Sequence, residues 1–402
     1  MNTIFSKIHP YPAMVNDKIA MLLASQYIKS GMNVLDPFCG SGRLLAAASH
    51  FGGICYGIDV NPLACLISLS KCASPSLELL ESALRVPFEM FYSTAYTLKS
   101  NRKVEWFSPT ILQELFSIVD WINKQNADFS SKVVLSIALS ATARAACFCR
   151  KSGWKLHRMN IADRESFDPD VYKIFKRYVS YYLNRVHLGL ETPICFDISL
   201  GAAEKVLCSD SSFSNIKFDF LITSPPYGDS ISTVQYGGMS SLCLDIVSNI
   251  HGLESYYIPG RQIDNAALGA TNVRKKFDLN IEIGRYWLGQ ALSKEEARVQ
   301  DFFVSFKKCL SVIVSRMKST SKALFIVGNR NVGGCTVQLD CFTNDVLSES
   351  GYKLQDVQKR TFPNKSIPFL VNRFGRSKSA HATASGLTKT ISNEYFMLFS
   401  RN

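Results

Sequence analysis

The feature that most constrains this chain is a short apolar run, residues 32–35, that leads directly into the glycine-rich segment 36–42. The run is typical of a buried strand, and residues 43–49 predict a helix. Gly40 and Gly42 allow a tight turn between them, because a residue without Cβ adopts backbone conformations that are closed to others. Such a turn holds the backbone close to any ligand at the helix N-terminus, where unpaired N–H groups point outward.

The same order then begins again. Residues 55–58 predict a second strand, which ends at Asp59, and Asn61-Pro62 predicts the start of a helix that continues to about residue 71. Strands and helices in this alternation predict an α/β fold with a doubly wound, mostly parallel sheet. Its later strands are predicted at residues 205–208, 218–222 and 323–327, with a closing antiparallel pair at residues 352–361 and 395–400.

Two segments interrupt this alternation. Residues 74–193 predict a mostly helical insertion, in which apolar side chains recur at helical spacing from residue 112 to residue 122. Residues 229–296 predict a second insertion, rich in Gly, Asn, Tyr and charged residues. The domain that contains the sheet is therefore predicted to comprise residues 1–73 and 194–402.

Basic residues are concentrated in two parts of a chain whose formal net charge is +12. Residues 351–402 contain nine Lys or Arg against two acids, and residues 144–185 contain ten against four. Such an excess predicts a polyanionic partner. No segment approaches the ~18 uninterrupted apolar residues of a membrane span, and the N-terminus lacks a signal core, so we expect a cytoplasmic protein with no membrane contact.

The chain contains 12 cysteines. Without export they are expected to be free thiols. Cys147 and Cys149 are the closest pair, but no second Cys or His cluster follows at ligand spacing, so we predict core thiols and no metal site.

Residues 36–42, Asp-Pro-Phe-Cys-Gly-Ser-Gly, resemble the S-adenosylmethionine loop of amino-methyltransferases. The resemblance implies that Asp36 and the loop backbone hold the methionine part of the cofactor. Asp59, at the end of the next strand, can accept ribose hydroxyls or can instead cap a helix, and Asp210 can accept the adenine amino group. Residues 9–13 resemble a family element that folds over the methionine end. The predicted cofactor-binding residues are His9, Tyr11, Pro12, Asp36, Pro37, Phe38, Cys39, Gly40, Gly42, Asp59, Val60 and Asp210.

A second loop, residues 223–227, reads Thr-Ser-Pro-Pro-Tyr and follows the apolar run 218–222. An exocyclic amine on an aromatic base is a poor nucleophile, because its lone pair is delocalised into the ring. Ser224 Oγ and the Pro225 carbonyl can accept its two hydrogens, and Tyr227 can stack on a base that has left the duplex. The prolines keep the loop from becoming helical. The predicted catalytic residues are Ser224, Pro225, Pro226 and Tyr227.

This loop resembles that of bacterial cytosine-N4 DNA methyltransferases, on a Rossmann-like methyltransferase fold with a seven-stranded sheet. In that resemblance Ser at the first position goes mostly with cytosine N4, whereas Asp or Asn goes mostly with adenine N6. Methylation at cytosine C5 requires a cysteine nucleophile, usually after proline, and none of the 12 cysteines follows proline. A site without covalent intermediate or metal is therefore expected.

Recognition of double-stranded DNA is expected in the insertions, because little chain remains beyond the strands that close the sheet. The segment from Arg144 to Arg158 mixes basic donors with an aromatic side chain, and residues 237–285 compete for the role. Three later basic residues can contact phosphates or can be solvated or structural. The predicted DNA-binding residues are Arg144, Arg150, Lys151, Trp154, Lys155, Arg158, Arg330, Arg360 and Lys365, with His157 in the same segment.

Other functions stay open on the sequence. These are adenine-N6 methylation of DNA, methylation of an RNA base by a tRNA-type enzyme, and a non-catalytic DNA-binding subunit that has kept the fold. The resemblance further implies a nucleoid-associated role beside a cognate restriction endonuclease, with base flipping during DNA methylation.

Overall fold

The computed structural model describes most of the chain. The described residues are 8–12, 14–91, 96–99, 101–150, 156–187, 196–209, 213, 215–228, 235–269, 282–288, 293–332, 335–361, 370–372, 387–389 and 393–401.

Within these ranges the helices are α1 (Asp17–Tyr27), α2 (Arg43–His50), α3 (Pro62–Cys72), α4 (Leu77–Arg85), α5 (Asn101–Val104), α6 (Pro109–Lys124), α7 (Phe129–Ala146), α8 (Ile161–Glu165), α9 (Val171–His187), α10 (Ala203–Val206), α11 (Gly237–Val247), α12 (Gly260–Ala266), α13 (Ser293–Ser315) and α14 (Leu339–Glu349). The strands are β1 (Asn33–Asp36), β2 (Ile54–Asp59), β3 (Phe196–Leu200), β4 (Phe218–Thr223), β5 (Trp287–Leu288), β6 (Met317–Val327), β7 (Arg330–Val332), β8 (Cys335–Val337), β9 (Tyr352–Thr361), β10 (Leu370–Asn372), β11 (Leu387–Lys389) and β12 (Asn393–Arg401).

A seven-stranded sheet organises the domain, in the order β3-β2-β1-β4-β6-β12-β9. β1 pairs in parallel with β2 and β4, while β12 runs antiparallel to both of its neighbours. The direction in which successive strands are added to the sheet therefore reverses between β1 and β4. In doubly wound sheets, ligands bind outside the carboxyl ends of the strands at such a point. This arrangement confirms the predicted α/β, Rossmann-like methyltransferase fold with a mostly parallel sheet.

The sheet strands bury alternate side chains against two helical layers. On one face, residues such as Leu35, Leu221 and Phe325 pack against α13 and α14. On the other face, Val34, Phe220 and neighbouring apolar residues pack against α1 and α2. Because both faces are covered at the centre of the sheet, β1, β4 and the second half of β6 are mostly apolar, which is why these short runs could be identified as strands.

A third apolar core lies in a helical unit beside the sheet, formed by α3, α4, α6, α7, α9 and α11. Between residues 74 and 187 the described residues form helices α4 to α9, and α6 begins at Pro109 after the capping side chain of Ser108. α11 comes from the second predicted insertion, yet it packs against α7 and is buried along almost its entire length. The two insertions therefore share one core.

The strand predicted at residues 205–208 is wrong. β3 (Phe196–Leu200) is the parallel neighbour of β2, and residues 203–206 form α10 instead. Apolar Phe196 and Ile198 alternate with polar residues, which suits an edge strand, whereas Ala203 and Glu204 favour a helical turn. Asp210, which this strand was expected to carry at its end, lies outside the described residues.

No single helix in the described ranges is both long enough and apolar enough to span a membrane. α3 and α4 satisfy the test of length and composition only as a pair, and the pair bends by 111° at the break between them.

Candidate active site

The two sequence motifs meet at the carboxyl ends of adjacent strands. β1 and β4 are hydrogen-bonded in parallel, with Leu35 opposite Leu221. At their ends the Thr223 hydroxyl donates to Asp36 Oδ1 over 2.6 Å, and both residues are buried. This hydrogen bond therefore joins the segment 36–42, called the cofactor loop below, to the segment 223–228, called the catalytic loop.

Asp36 is a buried acid. Burial raises its pKa to about 7, against the opposing effect of hydrogen bonds from the Thr223 hydroxyl and the Phe38 amide. The carboxyl group accordingly changes charge near neutral pH. A positively charged ligand beside it would favour the ionised form.

Side chains of α3 hold the backbone of the cofactor loop by hydrogen bonds. Gly40 and Gly42 have φ of +52° and +70°. A Cβ on Gly42 would lie 2.7 Å from Ser68 Oγ, so this position requires glycine for space as well as for conformation. Ser68 Oγ donates to the Gly40 carbonyl over 2.9 Å, and Lys71, only 1% exposed, donates from Nζ to the Ser41 carbonyl. The sequence reasoning missed both side chains, although Lys71 is the one charged residue in the otherwise neutral sequence of α3.

Asp59 closes the loop from the end of β2. Its Oδ2 accepts from the Gly40 amide over 2.8 Å, and its Oδ1 accepts from the Asn61 amide over 2.8 Å. The side chain that caps α3 is that of Asn61, which accepts from the Leu63 amide. The helix-capping alternative for Asp59 is therefore not what the structure shows. Burial raises the pKa of Asp59 to about 6, and Val60 beside it is half-buried. A contact of either residue with ribose stays a prediction.

The N-terminal arm lies over the cofactor loop, but its two aromatic side chains differ in direction. His9 is buried, with Nε2 2.9 Å from Ser140 Oγ on α7 and Nδ1 2.7 Å from the Pro10 carbonyl. Since a carbonyl only accepts, Nδ1 is the donor and Nε2 the acceptor. Burial lowers the pKa of His9 to about 3, so the ring is neutral. His9 thus fastens the arm to the helical unit.

Tyr11 lies against the loop itself. Its ring stacks on that of Tyr236 with centroids 5.6 Å apart, and its hydroxyl accepts from Asn61 Nδ2 over 3.1 Å. A Cβ on Gly40 would lie 3.7 Å from the Tyr11 ring. Pro12 beside it is half-buried. Tyr236, from the second insertion, was not singled out by the sequence reasoning.

The remaining cofactor-loop residues form its base. Pro37 and Cys39 are buried, and Phe38 is half-buried with its ring 6.3 Å from that of Phe306 on α13. Burial raises the pKa of the Cys39 thiol well above its usual value, so Cys39 is a neutral packing residue at the site.

The catalytic loop is connected by its side chains to the far end of the chain. Ser224 Oγ lies 3.3 Å from the Tyr227 hydroxyl, which donates to Glu394 Oε1 on β12 over 3.0 Å. Arg360 Nη1, on β9, lies 3.6 Å from Glu394 Oε2. Burial, and next the charge of Glu394, raise the pKa of Tyr227 well above its usual value. Pro225 is buried and Pro226 half-buried, so this part of the loop packs against the protein rather than extending into solvent.

Arg330 lies inside the protein, behind the catalytic loop. It is 3% exposed, and a Cβ on Gly228 would lie 2.0 Å from its Cζ. Its guanidinium also lies 5.5 Å from the centroid of the Phe302 ring on α13. Of the two roles that the sequence left open for Arg330, this burial favours the structural one over a phosphate contact. Arg360 is partly exposed and paired with Glu394, and Lys365 lies outside the described residues.

The predicted DNA-reading segment follows α7. Its described parts, residues 148–150 and 156–159, pair as antiparallel strands and are called the hairpin below. Backbone hydrogen bonds run from the Arg150 amide to the His157 carbonyl over 2.8 Å and from the Met159 amide to the Phe148 carbonyl over 2.9 Å. Cys149 and Arg158 form an antiparallel β-bridge between them. Lys151, Trp154 and Lys155 lie outside the described residues. Cys149 is buried, as is Cys147 before it, and among the described residues no group of His, Cys, Asp or Glu is suited to a metal ion.

The basic side chains of the hairpin have different surroundings. Arg150 is exposed, whereas Arg144 is half-buried, with Nη1 3.8 Å from Met239 Sδ on α11. Arg158 pairs with Glu105 over 2.8 Å and lies over the Trp106 ring at 4.8 Å. Arg144 therefore belongs to the helical core more than to a surface, while Arg150 and Arg158 lie on the hairpin strands.

Sequence comparison relates the chain to one curated protein in particular. It is 26% identical over 396 residues to the Type II methyltransferase M.MvaI of Kocuria varians, a match that covers 90% of this chain and 85% of that protein. No family model matches the sequence.

Comparison of structures finds methyltransferases at low similarity. The rRNA methyltransferase aviRa of Streptomyces viridochromogenes is 9% identical and has a TM-score of 0.34, with 99% of this chain and 90% of that chain covered. TrmN of Thermus thermophilus is 8% identical with a TM-score of 0.30, covering 96% and 48% of the two chains. At these scores the fold assignment depends on the strand order rather than on superposition.

The residues at the carboxyl ends of β1 and β2 fit S-adenosylmethionine. The glycine turn brings backbone close to the N-terminus of α2, and Asp36 and Asp59 supply acceptors and negative charge near a cationic ligand. The aromatic pair Tyr11 and Tyr236 borders the same loop. The chain is thus a relative of a Type II methyltransferase, and its Rossmann-like methyltransferase fold carries a site for S-adenosylmethionine.

Proposed function

We propose that this chain is a DNA methyltransferase of the restriction-modification type, which transfers a methyl group to the exocyclic N4 amine of a flipped cytosine in a short duplex site. The observation that carries the proposal is the 2.6 Å hydrogen bond between Thr223 and Asp36, which holds the cofactor loop and the catalytic loop side by side. The relation to a Type II methyltransferase supports the same class.

S-adenosylmethionine supplies an electrophilic methyl group: an N–CH₃ bond forms as the S–CH₃ bond breaks, S-adenosylhomocysteine leaves, and the nitrogen loses a proton to an acceptor. The protein holds the amine in line with that methyl group and accepts its hydrogens, so that the nitrogen lone pair is freed from the ring. Positioning of this kind accounts for a large part of enzymatic rate enhancement.

Each residue of the catalytic loop has a part in this proposal. Ser224 Oγ and the Pro225 carbonyl accept the two amine hydrogens. The prolines keep the loop extended. The ring of Tyr227 supplies a flat surface on which a base that has left the duplex can stack. Ser224 at the first position favours cytosine N4 over adenine N6 by its resemblance to the N4 group.

DNA recognition is proposed for the segment from Arg144 to Arg158, which includes strands of the hairpin. The hairpin is basic, and it lies close to the active site, because a Cβ on Gly238 would be 3.1 Å from Leu156 Cδ1 of the hairpin. Gly238 is two residues from Tyr236, whose ring stacks on Tyr11 at the cofactor loop. A competing role for α11 is less favoured, since that helix is buried along almost its whole length.

The hairpin assignment is tested by charge reversal. Because the hairpin is proposed to read the DNA sequence, Arg150→Glu is expected to remove the difference in affinity between cognate and noncognate duplexes. Uniform weakening on every duplex, with a smaller salt dependence, would instead show a phosphate contact. Arg261→Glu on α12 is the matched variant for residues 237–285, and the segment that reads DNA is the one whose variant loses the difference.

The reaction is tested by single-molecule sequencing of DNA from cells that express this chain. We expect N4-methylcytosine at one short recurrent sequence, which would give the base and its context together. An unmodified genome would contradict the proposal and favour an RNA substrate or a binding-only protein. Detection of N6-methyladenine instead would support methylation of an exocyclic amine but show that the target base is adenine rather than cytosine.

The role of the catalytic loop is tested separately. Ser224→Ala combined with Tyr227→Ala removes the side-chain acceptor and the stacking surface, and we expect methyl transfer to be lost while the chain still binds S-adenosylmethionine. Methylation that survives in this double variant would refute the proposed loop. The biological role further implies a cognate restriction endonuclease as functional partner and action at the bacterial nucleoid.

A further inference from the structure

A chain of hydrogen bonds leads from the catalytic serine into the protein. Ser224 Oγ lies 3.3 Å from the Tyr227 hydroxyl, and that hydroxyl lies 3.0 Å from Glu394 Oε1. Ser224 and Tyr227 lie in the loop that follows β4, and Glu394 lies at the start of β12. The two strands belong to one sheet with β6 between them. The order of donors and acceptors along this chain is determined by the chemistry of its last member.

Glu394 is an ion-paired carboxylate. Arg360 Nη1 lies 3.6 Å from its Oε2, and the glutamate side chain is only 17% exposed. An ionised carboxylate accepts hydrogen bonds and donates none. Tyr227 must therefore be the donor in its contact with Oε1. Its raised pKa, caused first by burial, keeps the hydrogen on the phenol oxygen.

A tyrosine hydroxyl has one hydrogen, and the bond to Glu394 uses it. In its contact with Ser224 the Tyr227 oxygen can therefore only accept, so Ser224 is the donor there. The single hydroxyl hydrogen of Ser224 then points into the protein. What Ser224 presents to the pocket is a pair of acceptor lone pairs.

We propose that Glu394 is a positioning residue that sets the direction of these hydrogen bonds, so that Ser224 acts only as an acceptor toward the target base. The inference rests on the proposed function and deepens it. A target with an amino group at the reacting position is favoured, because N–H groups meet lone pairs. A base with a carbonyl oxygen at the same position is disfavoured, because two acceptors face each other. Cytosine is thereby distinguished from thymine or uracil, which differ from it at this position.

A double-mutant cycle tests the proposal. Glu394→Ala and Tyr227→Phe each leave Ser224 free to turn its hydrogen toward the substrate, and we expect each to lower kcat about tenfold with KM for DNA changed less than about twofold. Because Glu394 acts through the Tyr227 hydroxyl, adding Glu394→Ala to Tyr227→Phe should lower kcat no further. Binding of S-adenosylmethionine, measured by calorimetry, should be unchanged in all three.

Two further variants distinguish positioning from general support of the sheet. Glu394→Gln keeps an acceptor oxygen for Tyr227, so its kcat should lie between those of the wild type and Glu394→Ala. Glu349→Ala removes a different carboxylate, paired with Lys307 over 2.7 Å, and should leave kcat unchanged.

Two outcomes would overturn the proposal in different ways. If Glu394→Ala lowers kcat equally in the wild-type and Tyr227→Phe backgrounds, Glu394 acts through the strands rather than through Tyr227, and this inference alone fails. If the wild-type chain methylates no nucleic-acid base, the proposed function fails and the inference with it.

Discussion

The cofactor loop and the catalytic loop leave neighbouring strands, yet they are held by very different parts of the chain. Asp59, Ser68 and Lys71 bind the cofactor loop from positions 19, 28 and 30 residues further along. Tyr227 of the catalytic loop is bound by Glu394, 167 residues away. Most hydrogen-bonded supports of the cofactor loop therefore come from the nearby β2 and α3, with a distant one added by Thr223 on β4. The catalytic loop, by contrast, depends on the strands that close the sheet.

This difference implies that changes near the two loops should have separable effects. A weakened support of the cofactor loop should appear in the affinity for S-adenosylmethionine. A weakened support of the catalytic loop should appear in kcat for the nucleic acid. Asp36 and Thr223, where the loops meet, should affect the stability of both.

The largest effect is expected at Asp36, as a dependence of stability on pH. The folded carboxyl binds its proton more tightly than the unfolded one, so its contribution to stability is fully present below about pH 4 and is lost as the pH rises to about 7. Asp36→Asn keeps an acceptor oxygen for Thr223 but cannot ionise. Relative to this variant, the wild type should lose up to about 4 kcal/mol of unfolding free energy over that range.

Urea unfolding of both proteins between about pH 4 and about pH 8 measures this difference. Asp356→Asn, at an exposed position, is the control and should show no such trend. A difference between wild type and Asp36→Asn that stays constant with pH would mean that Asp36 is not a buried, protonated acid in the folded protein.

The next effect is expected in the catalytic loop alone. Gly228→Ala places a Cβ 2.0 Å from Arg330 Cζ, and since Arg330 is buried, the loop must move. A displacement of about 1 Å at a reacting group can cost about 100-fold in rate, so we expect a loss of that order in kcat. Affinity for S-adenosylmethionine should be retained. Gly284→Ala, where a Cβ would meet nothing within 4 Å, is the matched control.

The smallest of the three effects is expected in the cofactor loop alone. Lys71→Met removes the buried donor to the Ser41 carbonyl. An unsatisfied buried acceptor costs about 1–3 kcal/mol, so we expect Kd for S-adenosylmethionine to rise about tenfold, with kcat near wild type at saturating cofactor. Lys29→Met, at an exposed position, should leave Kd unchanged. A Lys71 variant that loses kcat but keeps its Kd would break the proposed separation of the two loops.

The sequence predicted the elements whose signals are local. The apolar runs at residues 33–35, 55–58, 218–222 and 323–327 lie in strands of the sheet, because buried parallel strands are apolar on both faces. The edge strand β3 was missed, because its alternation of apolar and polar residues over five positions is a weaker strand signal than the apolar residues 206–208 that follow it. The later run, residues 205–208, follows the helix-forming residues Ala203 and Glu204, and its first two residues belong to helix α10.

The supports of the site could be predicted only where a local signal existed. Lys71 had one, as a lone charge on an otherwise neutral helix. Glu394 had none, because its contact with Tyr227 depends on the sheet bringing the start of β12 near the end of β4, with β6 between them. The same holds for Arg330, whose burial behind Gly228 follows from the packing of α13.

We propose above that this site methylates an exocyclic amine of cytosine. The most direct measurement incubates the purified chain with duplex DNA and S-adenosylmethionine that carries a deuterated methyl group, digests the DNA to nucleosides and identifies the labelled one by mass spectrometry. We expect the label in N4-methyldeoxycytidine. Label in C5-methyldeoxycytidine, or in RNA nucleosides alone when RNA is offered beside the DNA, would contradict it.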